Sequence, residues 1–257
     1  MRFQVAVLGL GEAGARIAAD LAASGNGVRG WDPVVTSAPG VDRAGTPADA
    51  VVGAELVLGL TTAAHALDAV SSVAPALGEG QVYADLNTTS PGLKVELAAV
   101  IGPTGAAFVD VALLGPVPTH GIRTPALASG VGAVQFASLV RPHGMPVEIV
   151  GDEPGDAAGM KLVRSVFMKG LAATVLESIE AASKRGVDDW LRAEIAGVVG
   201  EPLLERLVTG TVTHAARRLD EMEATVEYLQ ELGVEPRISR ATASLLANLV
   251  SEGAHRP

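Results

Sequence analysis

Apolar residues in the first part of the chain alternate between short strand-like runs and longer stretches with helical spacing. Residues 3–8 are rich in β-formers and end at a glycine, which is typical of a buried strand. Residues 14–23 carry one apolar helical stripe, and Ser24-Gly25-Asn26-Gly27 ends it. Residues 28–32 predict a second strand. Strand, glycine turn, helix and strand within about 30 residues form one βαβ unit.

The alternation continues to about residue 150. We predict strands at residues 56–60, 82–86, 108–113, 127–129 and 147–150, and helices at residues 64–76 and 91–101. This order predicts an α/β fold with a Rossmann-like, doubly wound parallel sheet in a first domain, residues 1–154.

After Gly151 the strand signal disappears. Residues 155–184 predict one long helix, and further helices are predicted at residues 188–199, 202–213, 214–232 and 240–250. The second domain, residues 155–257, is therefore expected to be all-α. In it, we expect Lys169 to be a solvated charge, and Arg217-Arg218 with Asp220, Glu221 and Glu223 to form a salt-bridged helix face.

Composition narrows the class of protein. The formal net charge of −10 argues against a nucleic-acid partner, which would favour a basic face. The absence of cysteine excludes disulfides, thiolate catalysis and cysteine-ligated metals, and His65, His143, His214 and His255 lack metal-ligand spacing. The N-terminus does not resemble a signal peptide, and no apolar run approaches the roughly 18 residues of a membrane span. We therefore expect a soluble cytoplasmic protein without a metal.

The loop Gly9-Leu10-Gly11-Glu12-Ala13-Gly14 follows a predicted strand and opens a helix. Gly9 permits a tight turn, Gly11 lets the backbone approach a pyrophosphate, and Gly14 allows close packing of helix and strand. The helix N-terminus supplies free N–H groups for the phosphates. All six residues are predicted to bind a dinucleotide, although flavoproteins and methyltransferases have related loops.

Asp32 lies eighteen residues after Gly14, at the end of the second predicted strand. A carboxylate there can accept hydrogen bonds from ribose hydroxyls and would repel a 2′-phosphate, so NAD is favoured over NADP. Arg29 and Arg43 could still reach a phosphate, which leaves NADP open. A structural turn followed by a solvated aspartate is the simpler alternative.

Three further motifs occur in order: Asp85-Leu86-Asn87-Thr88-Thr89-Ser90-Pro91, Phe108 to Pro116, and Gly155-Asp156-Ala157-Ala158-Gly159-Met160-Lys161 followed by Ser165. With the glycine loop, they resemble the motifs of the β-hydroxyacid dehydrogenases, the family of 3-hydroxyisobutyrate and 6-phosphogluconate dehydrogenases. The resemblance implies nucleotide binding and a helical domain that completes the substrate pocket and forms the core of a homodimer. The chain departs from the family pattern at Asn87, Leu114, Pro116, Ala157 and Ser165, which suggests a divergent, short branch with an altered pocket.

Lys161 matches the catalytic lysine of the family motif. A lysine partly buried beside a cofactor can act as general acid and base, taking the proton of a substrate hydroxyl and returning it in reverse. Ser165 lies four residues later on the same predicted helix face and is expected to contact substrate. On composition alone, Lys161 would be an ordinary solvated lysine.

Asn87 and Thr88 follow the carboxyl end of a strand, where ligands of open α/β sheets bind. We expect both to contact substrate, and Asn87 the cofactor as well, whereas Ser90 caps the following helix. Thr61 and Thr62 follow another strand and are expected to border the cofactor ribose.

The stiff loop from Gly115 to Pro125 occupies the place of the family's substrate loop. Gly115 and Arg123 are predicted substrate contacts, because a guanidinium pairs with carboxylate or phosphate. A loop arginine paired with a surface acid is equally compatible with the pattern, and His120 is a weaker candidate.

These residues predict an NAD(P)-dependent oxidoreductase that acts on a small, anionic hydroxy acid or related alcohol. An imine reductase on the same scaffold and a non-catalytic NAD-binding homologue remain alternatives. The sequence identifies neither the substrate nor the direction of reaction.

Overall fold

The computed structural model describes residues 2–254, so Met1 and His255 lie outside the described residues. The chain forms two compact units, Met1–Lys161 and Leu162–Pro257. The division falls seven residues after the predicted boundary at 154, inside the long helix Asp156–Arg185.

The first unit is built on one eight-stranded sheet. Its strands are β1 (Gln4–Leu8), β2 (Gly27–Trp31), β3 (Asp42–Arg43), β4 (Leu56–Gly59), β5 (Val82–Asp85), β6 (Ala107–Leu113), β7 (Ala126–Ser129) and β8 (Val147–Gly151). They lie in the order β3-β2-β1-β4-β5-β6-β7-β8, and all pairs are parallel except β6 with β7. The predicted doubly wound sheet is confirmed.

Helices connect most of these strands. They are α1 (Glu12–Ala23), α2 (Pro47–Val51), α3 (Ala66–Val73), α4 (Pro91–Ile101), α5 (Val117–His120) and α6 (Ala133–Val140). Short 3-10 turns occupy Ala63–His65, Ala74–Ala76, Gly102–Thr104, Gly121–Arg123 and Arg141–His143. The predicted helix at residues 64–76 is thus α3 with a 3-10 turn at each end.

Both faces of the sheet are covered by apolar side chains. Along β1, Val5 and Val7 belong to one buried cluster and Ala6 and Leu8 to another, as expected for strand side chains that alternate between faces. Because both faces are buried, the strands appear in the sequence as continuous apolar runs.

Four elements were absent from the sequence prediction: β3, α2, α5 and α6. Strand β7 is also antiparallel to β6. A parallel connection needs a crossover of a dozen or more residues, usually through a helix. The twelve residues between Leu113 and Ala126 hold only α5 and one 3-10 turn, and here they return the chain in the opposite direction.

The second unit is helical. Helix α7 (Asp156–Arg185) begins in the first unit and continues into the second, followed by α8 (Asp188–Val199), α9 (Glu201–Thr213), α10 (Ala215–Glu231) and α11 (Arg237–Ala254). Ala172 and Val175 of α7 pack with Leu204 and Leu207 of α9 in its apolar core. Within residues 2–254, no helix is both long and apolar enough to cross a membrane.

Candidate functional site

The glycine loop closes a tight turn between β1 and α1. Gly9 has a φ of +96°, and its N–H donates to the carbonyl of Trp31 at 2.9 Å. A Cβ on Gly9 would overlap the carbonyl of Leu60, and one on Gly14 would overlap the carbonyl of Gly9. Both glycines are therefore required by the backbone itself.

Gly11 lies in a different environment. A Cβ built there would meet no atom within 4 Å. Gly11 is the N-cap residue of α1, and no side chain caps this helix. Gly11 and Glu12 are exposed, whereas Leu10 is buried and Ala13 partly buried. Open space beside a helix N-terminus without a side-chain cap fits the pyrophosphate of a dinucleotide.

Asp32 follows β2 and faces the same loop. Its Oδ2 accepts a hydrogen bond from the N–H of Leu10 at 2.7 Å, and its Oδ1 accepts from Val34 and Val35, each at 2.8 Å. Partial burial opposes ionisation, but the hydrogen bonds from Val35, Val34 and Leu10, together with Arg43, outweigh it and lower the pKa of Asp32. The carboxylate is therefore ionised at neutral pH.

Two arginines were candidates for a 2′-phosphate, and their positions differ. The guanidinium of Arg43 donates to the carbonyls of Val35 and Asp32, at 2.5 and 2.9 Å. The guanidinium of Arg29 donates to the carbonyls of Asp49 and Val52. Only Arg43 is thus held at the loop that follows Asp32.

The ends of β4 and β5 bring Thr61 and Asn87 together. The side-chain Nδ2 of Asn87 donates to Thr61 Oγ1 at 3.2 Å and to Asp85 Oδ1 at 2.6 Å. Its Oδ1 is buried and has no hydrogen-bond partner in the structure. A buried acceptor without a partner fits a ligand that brings an N–H or O–H donor. Thr62 is exposed, and its hydroxyl pairs with His65 Nδ1 at 2.7 Å.

Lys161 and Thr88 meet although they are 73 residues apart in the chain. Lys161 Nζ donates to Thr88 Oγ1 at 2.8 Å, and both side chains are partly exposed. Ser90, two residues beyond Thr88, accepts a hydrogen bond from Leu93 N and caps α4 as predicted.

A buried charge cluster lies beneath these residues, and the sequence reasoning missed it. Lys94 of α4 is 1% exposed, and its Nζ lies 2.6 Å from Asp85 Oδ2 and 3.0 Å from Asp110 Oδ1. Burial opposes the charge of Lys94, but the two carboxylates outweigh burial and raise its pKa. An acidic residue within a buried apolar strand, as at positions 85 and 110, is the signal that a buried cation must lie nearby.

The start of α7 is capped by side chains from the sheet. Asp110 Oδ2 accepts a hydrogen bond from Ala158 N at 2.8 Å, and Ser129 Oγ accepts one from Ala157 N at 3.1 Å. Gly155 precedes the helix with a φ of +102°, and a Cβ there would come within 3.0 Å of the carbonyl of Pro91. The first turn of α7 is thus held against β6, β7 and the start of α4.

In the second unit, Ser165 is fully buried. Its hydroxyl donates to Glu221, which also pairs with Lys169. Burial lowers the pKa of Lys169, and Glu221 opposes that effect. The expectation that Lys169 is a solvated charge is wrong, because it pairs with the buried Glu221. Glu221, expected in a salt-bridged face of its own helix, forms this pair with a residue of α7 instead.

The loop that contains Gly115 and Arg123 is attached to α1. The N–H of Ile122 donates to Asp20 Oδ2 at 2.9 Å. Arg123 is exposed and its side chain lies near Gly144, whereas His120 is exposed and adjacent to Gly115. A Cβ on Gly115 would make only ordinary contacts of 3.6 Å or more, so its lack of a side chain is not a steric requirement of the loop.

Comparison with known families agrees with this architecture. Residues 4–131 match the NAD binding domain of 6-phosphogluconate dehydrogenase, and residues 182–249 match a domain of unknown function, DUF1932. Together the two matches cover most of the chain. The fold and the loop therefore define an NAD(P)-binding protein of the Rossmann class.

Individual relatives extend the comparison. An uncharacterized 28.5 kDa protein of Methanothermus fervidus is 27% identical over 206 residues, 78% of each chain. A conserved protein of unknown function, described as structurally similar to 3-hydroxyacid dehydrogenases, is 26% identical, with a TM-score of 0.76 and 96% of each chain covered. The 3-hydroxyisobutyrate dehydrogenase of Mycobacterium tuberculosis is 20% identical and shares the fold, with a TM-score of 0.82 over 98% of this chain and 94% of that chain.

The chain belongs to the β-hydroxyacid dehydrogenase family. This membership confirms the resemblance carried by the four sequence motifs, and it makes the chain an oxidoreductase-type protein with an NAD(P) cofactor.

Proposed function

We propose that this protein is an NAD(P)-dependent dehydrogenase of a small hydroxy acid or related alcohol, with Lys161 as general acid and base. The observation that carries the proposal is the 2.8 Å hydrogen bond from Lys161 Nζ to Thr88 Oγ1. Thr88 belongs to the same motif as Asn87, whose Oδ1 is buried without a hydrogen-bond partner. When bound, the nicotinamide ring accepts or supplies a hydride.

The residues that would hold the cofactor follow from the geometry of the loop. N–H groups at the start of α1 would bind the pyrophosphate beside Gly11, and Asp32 would accept hydrogen bonds from the adenosine ribose. Thr61 and Thr62 would border the second ribose, and Asn87 Oδ1 would accept a hydrogen bond from the nicotinamide amide or from a substrate hydroxyl.

Lys161 moves the proton. Its amine takes the proton of the substrate hydroxyl during oxidation and returns it to the same oxygen during reduction. Thr88 accepts a hydrogen bond from Lys161 and so limits the positions that Nζ can occupy. Lys161 is the proposed catalytic residue, and Thr88 contacts the substrate beside it.

The substrate is proposed to be small and anionic. Arg123 supplies a cation on an exposed loop, with Gly115 in the same loop. Ser165 remains a proposed substrate contact. In the structure its hydroxyl donates a hydrogen bond to Glu221. The protein is proposed to act as a homodimer.

Replacement of Lys161 tests the proposal. Lys161→Ala and Lys161→Met should lower kcat by about 10²–10⁴-fold, the contribution expected of a positioned acid or base. The Kd for NADH, measured by fluorescence titration, should stay unchanged, because Lys161 is remote from the glycine loop in the proposed roles. Lys184→Ala on the same helix is the matched control, since Lys184 is exposed and paired with Glu180. Full turnover by Lys161→Ala would refute the assignment.

A substrate panel separates the alternatives. Small 3-hydroxy acids and related alcohols are assayed with NAD and NADP, and cyclic imines are assayed with NADH and NADPH. Turnover of hydroxy acids supports the proposal. Turnover of imines alone would identify an imine reductase, and NADH binding without any turnover would identify a non-catalytic homologue.

A further inference from the structure

A row of polar residues crosses the sheet of the first unit. Asp85 of β5 is the register partner of Asp110 of β6, and Asp110 is the partner of Ser129 of β7. Partners in register project from the same face of a sheet. All three side chains are fully buried, and Lys94 reaches this row from α4.

At its β5 end, the row forms hydrogen bonds with the segment that leads to Thr88. Lys94 Nζ donates to the backbone carbonyl of Asp85 at 2.9 Å and to its carboxylate at 2.6 Å. The other carboxylate oxygen of Asp85 accepts from Asn87 at 2.6 Å. Thr88 follows Asn87 directly, so these contacts restrain the segment that leads into it.

At its β6 and β7 end, the row forms hydrogen bonds with the start of α7, the helix that carries Lys161. Asp110 and Ser129 accept hydrogen bonds from Ala158 N and Ala157 N, in the first turn of α7. Lys161 lies about one helical turn further on, at 3.6 residues per turn. Asp110 is thus bonded to α7 through one oxygen and paired with Lys94 through the other.

The charges in the row are balanced only as a set. Two carboxylates face one ammonium group, and the partial positive charge of the α7 N-terminus compensates the second carboxylate. Well-packed apolar residues often stabilise a core as well as a buried ion pair does, so the pair is weak evidence of a role in stability. The observed hydrogen bonds instead join two chain segments, the start of α7 and the end of β5.

We infer that Asp110, Lys94 and Ser129 are positioning residues that hold Lys161 against Thr88. The inference rests on the proposed role of Lys161, because a fixed position matters only if Lys161 acts there. It goes beyond that role in naming three residues that do not touch substrate or cofactor.

Chemical labelling of Lys161 in the full-length protein tests the inference without a substrate. Ser129→Ala removes one bond to α7 without changing charge, and Asp110→Asn removes the buried charge. The acetylation rate of Lys161 is measured by mass spectrometry, with Lys184 as internal reference. It should rise about five-fold or more in both variants, because the loss of one ordinary hydrogen bond changes an equilibrium by about this factor. Thr46→Ala is the matched control, since it removes the side-chain cap of α2.

The Thr46→Ala variant should melt at a lower temperature and leave the labelling of Lys161 unchanged. Equal labelling of Lys161 in the wild type, Ser129→Ala and Asp110→Asn would overturn the inference. If Asp110→Asn does not fold, Ser129→Ala decides the question alone.

Kinetics provide the second readout, with NAD and the best hydroxy-acid substrate of the panel. Asp110→Asn should lower kcat by about 10²-fold, as expected for a displaced catalytic group, and leave the KM for NAD unchanged. In a Lys161→Ala background the same substitution should have no further effect. An equal loss in both backgrounds would overturn the inference. Full activity of Lys161→Ala would instead refute the proposed function, while the labelling result would still decide whether Lys161 is held.

Discussion

At the residue scale, the choice between NAD and NADP depends on two side chains of opposite charge. Asp32 presents an ionised carboxylate at the end of β2, and Arg43 holds its guanidinium on the backbone carbonyl of the same Asp32. The carboxylate of Asp32 would repel a 2′-phosphate, and the guanidinium of Arg43 would attract it. The carboxylate lies directly at the glycine loop, so we expect NAD to be preferred.

Single substitutions should move this preference in opposite directions. Asp32→Asn keeps a hydrogen-bond acceptor and removes the charge, so the ratio of the Kd for NADPH to that for NADH should fall. Arg43→Ala should raise the same ratio. Each change should be about ten-fold, the size of one charge-charge interaction near the surface.

Fluorescence titration with both reduced cofactors measures the ratio, which cancels general effects on folding. Arg29→Ala is the control, because its guanidinium is bound to the carbonyls of Asp49 and Val52. A ratio that shifts equally in the Arg29 and Arg43 variants would contradict this account.

At the scale of elements, the two glycines of the turn from β1 into α1 have different roles. Gly9 is required because a Cβ there would overlap the backbone of Leu60, whereas a Cβ at Gly11 would enter space that no protein atom occupies. Gly11→Ala should therefore fold normally, with an unchanged melting temperature, and lose at least about ten-fold in NADH affinity, since its methyl group would occupy the place of the pyrophosphate. Gly9→Ala should lose stability and binding together.

Thermal melts and NADH titrations on the same samples distinguish these outcomes. Gly78→Ala is the matched control for Gly11→Ala, because a Cβ at Gly78 also meets no atom within 4 Å. Tight NADH binding by Gly11→Ala would show that the pyrophosphate lies elsewhere.

The sequence predicted the elements with strong periodicity. Helix α4 was predicted at its observed bounds, because Ser90 and Pro91 mark its start chemically. Strand β3 has only two residues, Asp42–Arg43, and its pairing with β2 depends on tertiary contacts rather than on local pattern. Helix α6 is a short apolar run that cannot be distinguished from a buried strand by periodicity alone.

The candidate site was predicted in part, for a similar reason. The glycine loop and Lys161 belong to motifs with a fixed local context. Lys94 belongs to no motif, and a lysine in a helix is ordinarily a surface residue. Its burial depends on Asp85 and Asp110, which join it only when β5 and β6 are paired.

At the scale of the whole molecule, helix α8 indicates how the proposed homodimer would form. None of its residues is fully buried, although it carries Trp190 and Val198, which are 62% and 86% exposed. A helix with apolar residues on an uncovered face is typical of a subunit interface. A second copy of the chain is the proposed partner.

Light scattering at micromolar concentration should give twice the chain mass of 26.0 kDa. Trp190→Glu should shift the protein towards the monomer, because a charge in an apolar interface is costly to desolvate. Asp189→Lys on the same helix changes an exposed charge and serves as the control. A wild-type protein that is monomeric at this concentration would refute the dimer.

The capping of α7 by the sheet has a consequence for biosynthesis. Translation proceeds from the N-terminus, so Asp110 and Ser129 leave the ribosome before Ala157 and Ala158, which they cap. The pairing of β6 with β7 can therefore be complete before α7 emerges. A nascent chain that has paired β6 with β7 therefore already holds both hydrogen-bond acceptors for the first turn of α7.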